Sequence, residues 1–272
     1  MLCKLTIFTG IAVVILSLFM SQGCSTLPNG RGWGQDATIT PGWRKIGNAA
    51  VNAAVAPEFW APLAGALVLQ VDDMDKRLSN WGSKHTPLFG SNHAANDASG
   101  FFNSAAEYTY YITLLATPSG DKPESWALAK LKGFAVETVA ISASNTTTDR
   151  LKNTINRKRP DGSDYQSFPS GTTSHASVSA TLASHNLDSI NINDGMRSAM
   201  KYFCFTLTAL TAWSRVEAKK HYPSDVLAGA SLGYFSGTFF NNAFMGLQGT
   251  NDVSLALEPV EDGFMVKLLW SF

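Results

Sequence analysis

From Trp43 onward the apolar positions recur at helical spacing. The pattern predicts helices over Arg44–Val55, Pro57–Ser79, Phe101–Ala116, Glu124–Lys152, Thr172–His185, Met196–Lys219 and Pro223–Met245. Pro57, Pro123 and Pro223 stand at starts, where a missing N–H leaves no helical bond unmade. Leu131, Ala135, Thr138, Val139 and Ser142 share one face of the fourth segment, which is expected to pack inward. Asn80–Ser99, with Gly82, Pro87 and Gly90, breaks the pattern and reads as a long loop. Its His85 and His93 read as solvent-facing rather than as metal ligands. Asp72, Asp73 and Asp75 read as a solvated helix end. The tail changes period. Val253, Leu255 and Leu257 alternate, Asp262-Gly263 signals a turn, and Phe264, Val266, Leu268, Trp270 and Phe272 follow at every second position. The expected fold class is all-α: a helical bundle closed by a short C-terminal β-hairpin.

The N-terminus changes where such a bundle would work. Lys4 is the only charge before the apolar run Ile7–Met20, and Ser21-Gln22-Gly23-Cys24 follows. A Gly before a Cys after such a run resembles a bacterial lipoprotein signal. Residues 1–23 are therefore expected as a signal peptide and Cys24 as the lipidated residue. Residues 24–43, rich in Gly, Pro and Thr, read as a flexible tether, 44–249 as the helical domain and 250–272 as the hairpin. The expected location is exported and membrane-anchored, facing the periplasm. Ser25 after Cys24 resembles lipoproteins sorted to the outer membrane. Phe59–Val71 and Tyr202–Trp213 are too short to span a bilayer, and Val226–Phe244 is interrupted by Gly, Ser and Asn. Cys3 would leave with the signal, and Cys204 reads as a buried small hydrophobe.

With 45% hydrophobic and 15% charged residues, the 272-residue chain can build a sizeable core. Lys and Arg together number 21, as do Asp and Glu, so nothing points to a nucleic-acid partner or a polybasic membrane patch.

Three clusters carry candidate chemistry: Lys152-x6-Arg159-Pro160; Phe168-Pro169-Ser170-Gly171; and Ser214-Arg215-x5-His221-x3-Asp225. Arg pairs with phosphate oxygens in a fork and Lys adds a point charge. Ser170 and Gly171 precede an expected helix whose free N–H groups favour an anion, and Gly admits that anion close to the backbone. Pro223 places Asp225 in a first helical turn, within reach of His221. An Asp bonded to one ring nitrogen would fix the tautomer and leave the other free to attack. Together these are parts for an anion cradle facing an oriented nucleophile.

The clusters resemble the signature of the type-2 phosphatidic-acid phosphatase family, which shares its fold with vanadium haloperoxidases. That pattern runs K-x6-RP, PSGH, SR-x5-H-x3-D, and the first and third parts match at every fixed position. The resemblance covers Lys152 to about Gly233. It implies that Lys152, Arg159, Ser170, Gly171 and Arg215 bind phosphate. It implies further that His221 forms a phosphohistidine, that Asp225 orients it, and that neither metal nor cofactor is needed. The implied substrate is a phosphorylated lipid at the membrane. One position departs. Thr172 stands where the family has a His acting as general acid, and His175 lies three residues on as the candidate replacement. A vanadate-dependent haloperoxidase and a non-catalytic phosphate- or lipid-binding protein remain alternatives.

Overall fold

The computed structural model describes residues 25–247 and the backbone of strands at 253–260 and 263–270. The expected signal peptide and Cys24 lie outside the described residues. The helices are α1 (Trp43–Val55), α2 (Pro57–Val68), α3 (Met74–His85), α4 (Asn92–Ala116), α5 (Pro123–Ile155), α6 (Gly171–Ser189), α7 (Asp194–Glu217) and α8 (Pro223–Phe244), with a 3-10 turn at Val71–Asp73. Strands β1 (Val253–Val260) and β2 (Gly263–Trp270) pair antiparallel, Val253 opposite Trp270 and Val260 opposite Gly263.

α6 is the hub. It packs against α4, α5, α7 and α8, and α8 also touches α1 and α2. Small residues make the α6–α8 contact close. A Cβ on Gly233 would lie 2.3 Å from the Ser174 carbonyl oxygen, and one on Gly229 would lie 2.5 Å from that of Ser170. The two helices that start at the candidate site are thus locked together without large side chains. The main core adds Tyr110, Leu114, Val178, Leu182, Leu187, Ile190 and Met245. Cys204 is buried there, and burial pushes its thiol up to about 11.

Several expectations need correction. The segment read as a flexible tether is seated on the bundle from Ser25 onward. Trp33 is fully buried, its N–H donates to the Pro118 carbonyl (2.7 Å), and Thr38 N–H donates to that of Phe244 (3.0 Å). Its glycines serve close approach: a Cβ on Gly32 would lie 2.2 Å from the Ser119 carbonyl oxygen. The expected helix over Pro57–Ser79 is two helices, broken by Asp72 and Asp73 in the left-handed region. The long loop shrinks to Thr86–Ser91, because α4 begins at Asn92 with Ser91 capping Ala94 N–H (3.1 Å). Glu217, fully buried at the end of α7, holds that loop by accepting from Leu88 N (3.0 Å) and Phe89 N (3.1 Å).

The α5 face read as inward is the outer one. Leu131 and Val139 are exposed, and the buried face is Gly133, Glu137, Ala140, Ser144 and Thr148. Close packing on α6 selects small and polar residues there. Ser144 Oγ meets Ser174 Oγ at 2.8 Å, and Gly133 is covered by the Trp33 ring. Among the described residues no single helix is long and apolar enough to cross a membrane. The pair α1 and α2 would be together, but it is bent by 52°.

Candidate active site

Helix ends supply the site. Lys152 stands in the last turn of α5, which Asn156 ends in the left-handed conformation (φ 52°). The loop beyond carries Arg157 and Arg159, then buried Ser167, and enters α6 through Ser170. Ser170 Oγ caps the helix, accepting from Thr173 N at 3.4 Å, and its own N–H donates to the Asp225 carbonyl at 2.9 Å. α7 presents Arg215 in its last turn, and His221 sits in the connection just before α8.

The cradle forms at the N-terminus of α6. A Cβ on Gly171 would lie 3.1 Å from Lys152 Nζ, so the ammonium overlies the first-turn amides. Arg159 Nε donates to Asp164 (2.7 Å), while its Nη1 faces the Lys220 carbonyl and His221 Nε2, each at 3.3 Å. Arg215 Nη1 donates to Asn96 Oδ1 (3.0 Å) and Ser99 Oγ (3.2 Å), and its buried Nε has no hydrogen-bond partner among the described residues. Burial lowers the Lys152 ammonium, with Arg159 and Arg215 adding to it, and burial brings the Arg215 guanidinium down to about 10.

His221 is almost completely buried. Its Nδ1 lies 2.7 Å from the Ser167 carbonyl, which can only accept, so Nδ1 carries the proton and Nε2 the lone pair. Arg159, a donor only, faces that lone pair. Burial, followed by the charges of Arg215 and Arg159, drives the imidazole well below its ordinary range. The direct Asp225 bond expected from the spacing is absent. Asp225 is in the first turn of α8, but its Oδ2 lies 3.9 Å from Nδ1. That oxygen accepts instead from Ser167 Oγ (2.5 Å) and Tyr222 N (2.8 Å). Asp225 therefore reaches the ring through Ser167. Burial raises its carboxyl, outweighing Arg157 and Ser167.

Four residues of this network escaped the sequence reading. Arg157 Nη1 donates to Asp225 Oδ1 (2.6 Å) and Ser224 Oγ (2.8 Å), and its Nη2 to Asp75 Oδ2 (2.6 Å). The guanidinium also lies 4.1 Å from the Tyr222 ring centre. Asp75, read as part of a solvated cluster, is buried and accepts from Ser224 N (2.8 Å) and Ser224 Oγ (2.5 Å). Asp72 and Asp73 do stay exposed. For Ser167 and Ser224 the signal available was nearness to the motifs. For Asp75, remote in sequence, there was none.

His175 lies one turn along α6, its Nδ1 3.1 Å from Asn103 Oδ1 on α4. His185 is elsewhere, half-buried with its Nε2 3.3 Å from Thr238 Oγ1, and desolvation lowers it to about 4. Among the described residues no group of three or more His, Cys, Asp or Glu could hold a metal.

Residues 133–247 match the family model described as the PAP2 superfamily. The matched stretch holds Lys152, Arg157, Arg159, Ser167, Ser170, His175, Arg215, His221 and Asp225, while Asp75, Asn96, Ser99 and Asn103 come from outside it. A stretch of 87 residues is 36% identical to a Lipid A 1-phosphatase of Porphyromonas gingivalis, covering 32% of this chain and 18% of that protein. The crystal structure of a transmembrane PAP2-type phosphatidylglycerolphosphate phosphatase from Bacillus subtilis superposes with TM-score 0.50 at 17% identity. It covers 68% of this chain and 92% of that one, and shows the likeness of fold. The crystal structure of Aquifex aeolicus LpxE gives TM-score 0.37 at 24% identity, over 51% of this chain and 80% of that one.

Proposed function

We propose that this chain is a phosphatase that hydrolyses a phosphate monoester or pyrophosphate on a lipid, through a phosphohistidine at His221. The carrying observation is the His221 tautomer: Nδ1–H on the Ser167 carbonyl, with the Nε2 lone pair facing Arg159. A nucleophile kept neutral by burial and surrounding cations needs no deprotonation before it attacks. Lys152, Arg159, Arg215 and the α6 amides would take the charge on the phosphoryl oxygens. A half-buried Arg215 whose Nε is buried and unmet suits an anionic ligand.

In the first step Nε2 bonds to phosphorus and the bond to the leaving oxygen breaks, His175 supplying that oxygen's proton. In the second, water attacks phosphorus, the P–N bond breaks, and the water's proton passes to His175. The likeness to a protein named Lipid A 1-phosphatase supports a lipid phosphate as substrate. The Gly23-Cys24 signature supports a lipid anchor and an exported location.

The test is a screen of lipid and soluble phosphates, with alkaline-quench trapping of radiolabelled enzyme. Turnover with base-stable, acid-labile label that disappears in His221→Ala is the expected result. Turnover undiminished in that variant would overturn the mechanism. Cys24→Ser should move the protein from the membrane to the soluble fraction, and unchanged partition would overturn the anchor.

A further inference from the structure

We infer that α4 positions the leaving-group side of this site, Asn103 aiming His175 while Asn96 and Ser99 hold Arg215. The inference rests on the phosphatase reading and adds residues outside the stretch that matches the family model. Asn96, Ser99 and Asn103 lie three and four apart, one polar stripe on one helix face. Two of them bond Arg215 Nη1 and the third bonds His175 Nδ1.

The Asn103 amide oxygen can only accept, so Nδ1 of His175 carries a proton and Nε2 is the atom left to give and take one. His175 stands four residues after Gly171, and helical side chains lean toward the N-terminus. The imidazole therefore overhangs the turn where Gly171 has no side chain and the Lys152 ammonium sits. Thr172, at the family's acid position, is turned about 60° away around the helix from His175, at about 100° per residue. As the P–O bond breaks, the proton on Nε2 moves to the leaving oxygen and the Nδ1–H bond to Asn103 is kept in both states. A neutral amide holds the ring without adding negative charge beside the phosphate. The acid, displaced by one turn, has thus gained a partner on a neighbouring helix.

Asn103→Ala and Asn103→Asp test this in the full-length protein with an alkyl and an aryl phosphate. Asn103→Ala should lower kcat on the alkyl ester by about ten-fold or more, with a clearly smaller loss on the aryl ester, whose leaving oxygen needs little protonation. Asn103→Asp places a carboxylate against the imidazole and should move the basic limb of kcat upward by about one pH unit. The His175 ring-nitrogen NMR signals should show the Nδ1–H tautomer in the wild type and a mixture in Asn103→Ala. An alkyl-to-aryl ratio and a basic limb unmoved in both variants, in an enzyme that turns over aryl phosphate, overturn the inference alone. A wild type that turns over neither ester overturns the phosphatase reading and this inference with it.

Discussion

His221 gives its Nδ1 proton to the Ser167 carbonyl at 2.7 Å, and the Asp225 carboxylate, 3.9 Å from the same nitrogen, grips the Ser167 hydroxyl instead. One residue thus sets the tautomer with its backbone and carries the acid's influence with its side chain. His221→Ala should abolish turnover with the fold intact, as circular dichroism would report. Ser167→Ala keeps the carbonyl, so kcat should fall less than about ten-fold. Asp225→Asn turns one acceptor into a donor facing existing donors, and should cost about 2–4 kcal/mol in urea unfolding as well as activity. A Ser167→Ala variant as inactive as His221→Ala would contradict the backbone role.

Asp75 and Asp225 share the Arg157 guanidinium, at 2.6 Å each. Lys cannot bridge both acids with one ammonium in that geometry. Arg157→Lys should therefore behave much like Arg157→Ala in activity. Asp75→Asn should destabilise by about 1–3 kcal/mol, because it breaks buried charge-assisted bonds. The double variant should lose less than the sum of the singles. Additive losses would mean that Asp75 and Arg157 act independently.

Two buried groups of opposite sign contribute to the pH dependence. His221 titrates well below its ordinary 6.5 when folded, so below that pH the unfolded chain binds the extra proton and stability falls as pH falls. Burial raises Glu137 from 4.5 to about 8, so between those values the folded chain binds the extra proton and stability falls as pH rises. Glu137→Gln should lessen that second decline, to which the raised Asp225 also contributes, and chemical denaturation at pH 5 and pH 8 would measure it. For catalysis, the acid limb of kcat/KM should lie clearly below pH 6.5, because His221 stays neutral there. An acid limb at 6.5 that moves with His221 environment variants would refute the depressed value.

In the proposed mechanism His175 takes the place of the acid missing at Thr172. His175→Ala should slow esters with poor leaving groups by about 10²-fold or more, and aryl phosphates far less. Thr172→His in that background should restore much of the loss. Equal, small effects on both ester types would make His175 a bystander.

By itself the sequence determined the helical bundle, its proline-marked helix starts and the motif residues of the cradle. Local chemistry fixes these: Pro57, Pro123 and Pro223 do open helices, and Lys152, Arg159, Ser170, Gly171, Arg215 and His221 do converge. Where the chain packs closely, the apolar signal fails. The inner face of α5 is Gly133, Glu137, Ser144 and Thr148, because small residues let α6 approach. The first turns of α4 are polar because Asn96, Ser99 and Asn103 face the site. Trp33 looked like tether because the glycines that let it dock are those that mark a linker. Only the tertiary structure decided which oxygen holds His221, and that Asp75, 146 positions before it, belongs to its support. Bonds between groups so distant in sequence depend on how α3, α5 and α8 meet, and no local spacing encodes that.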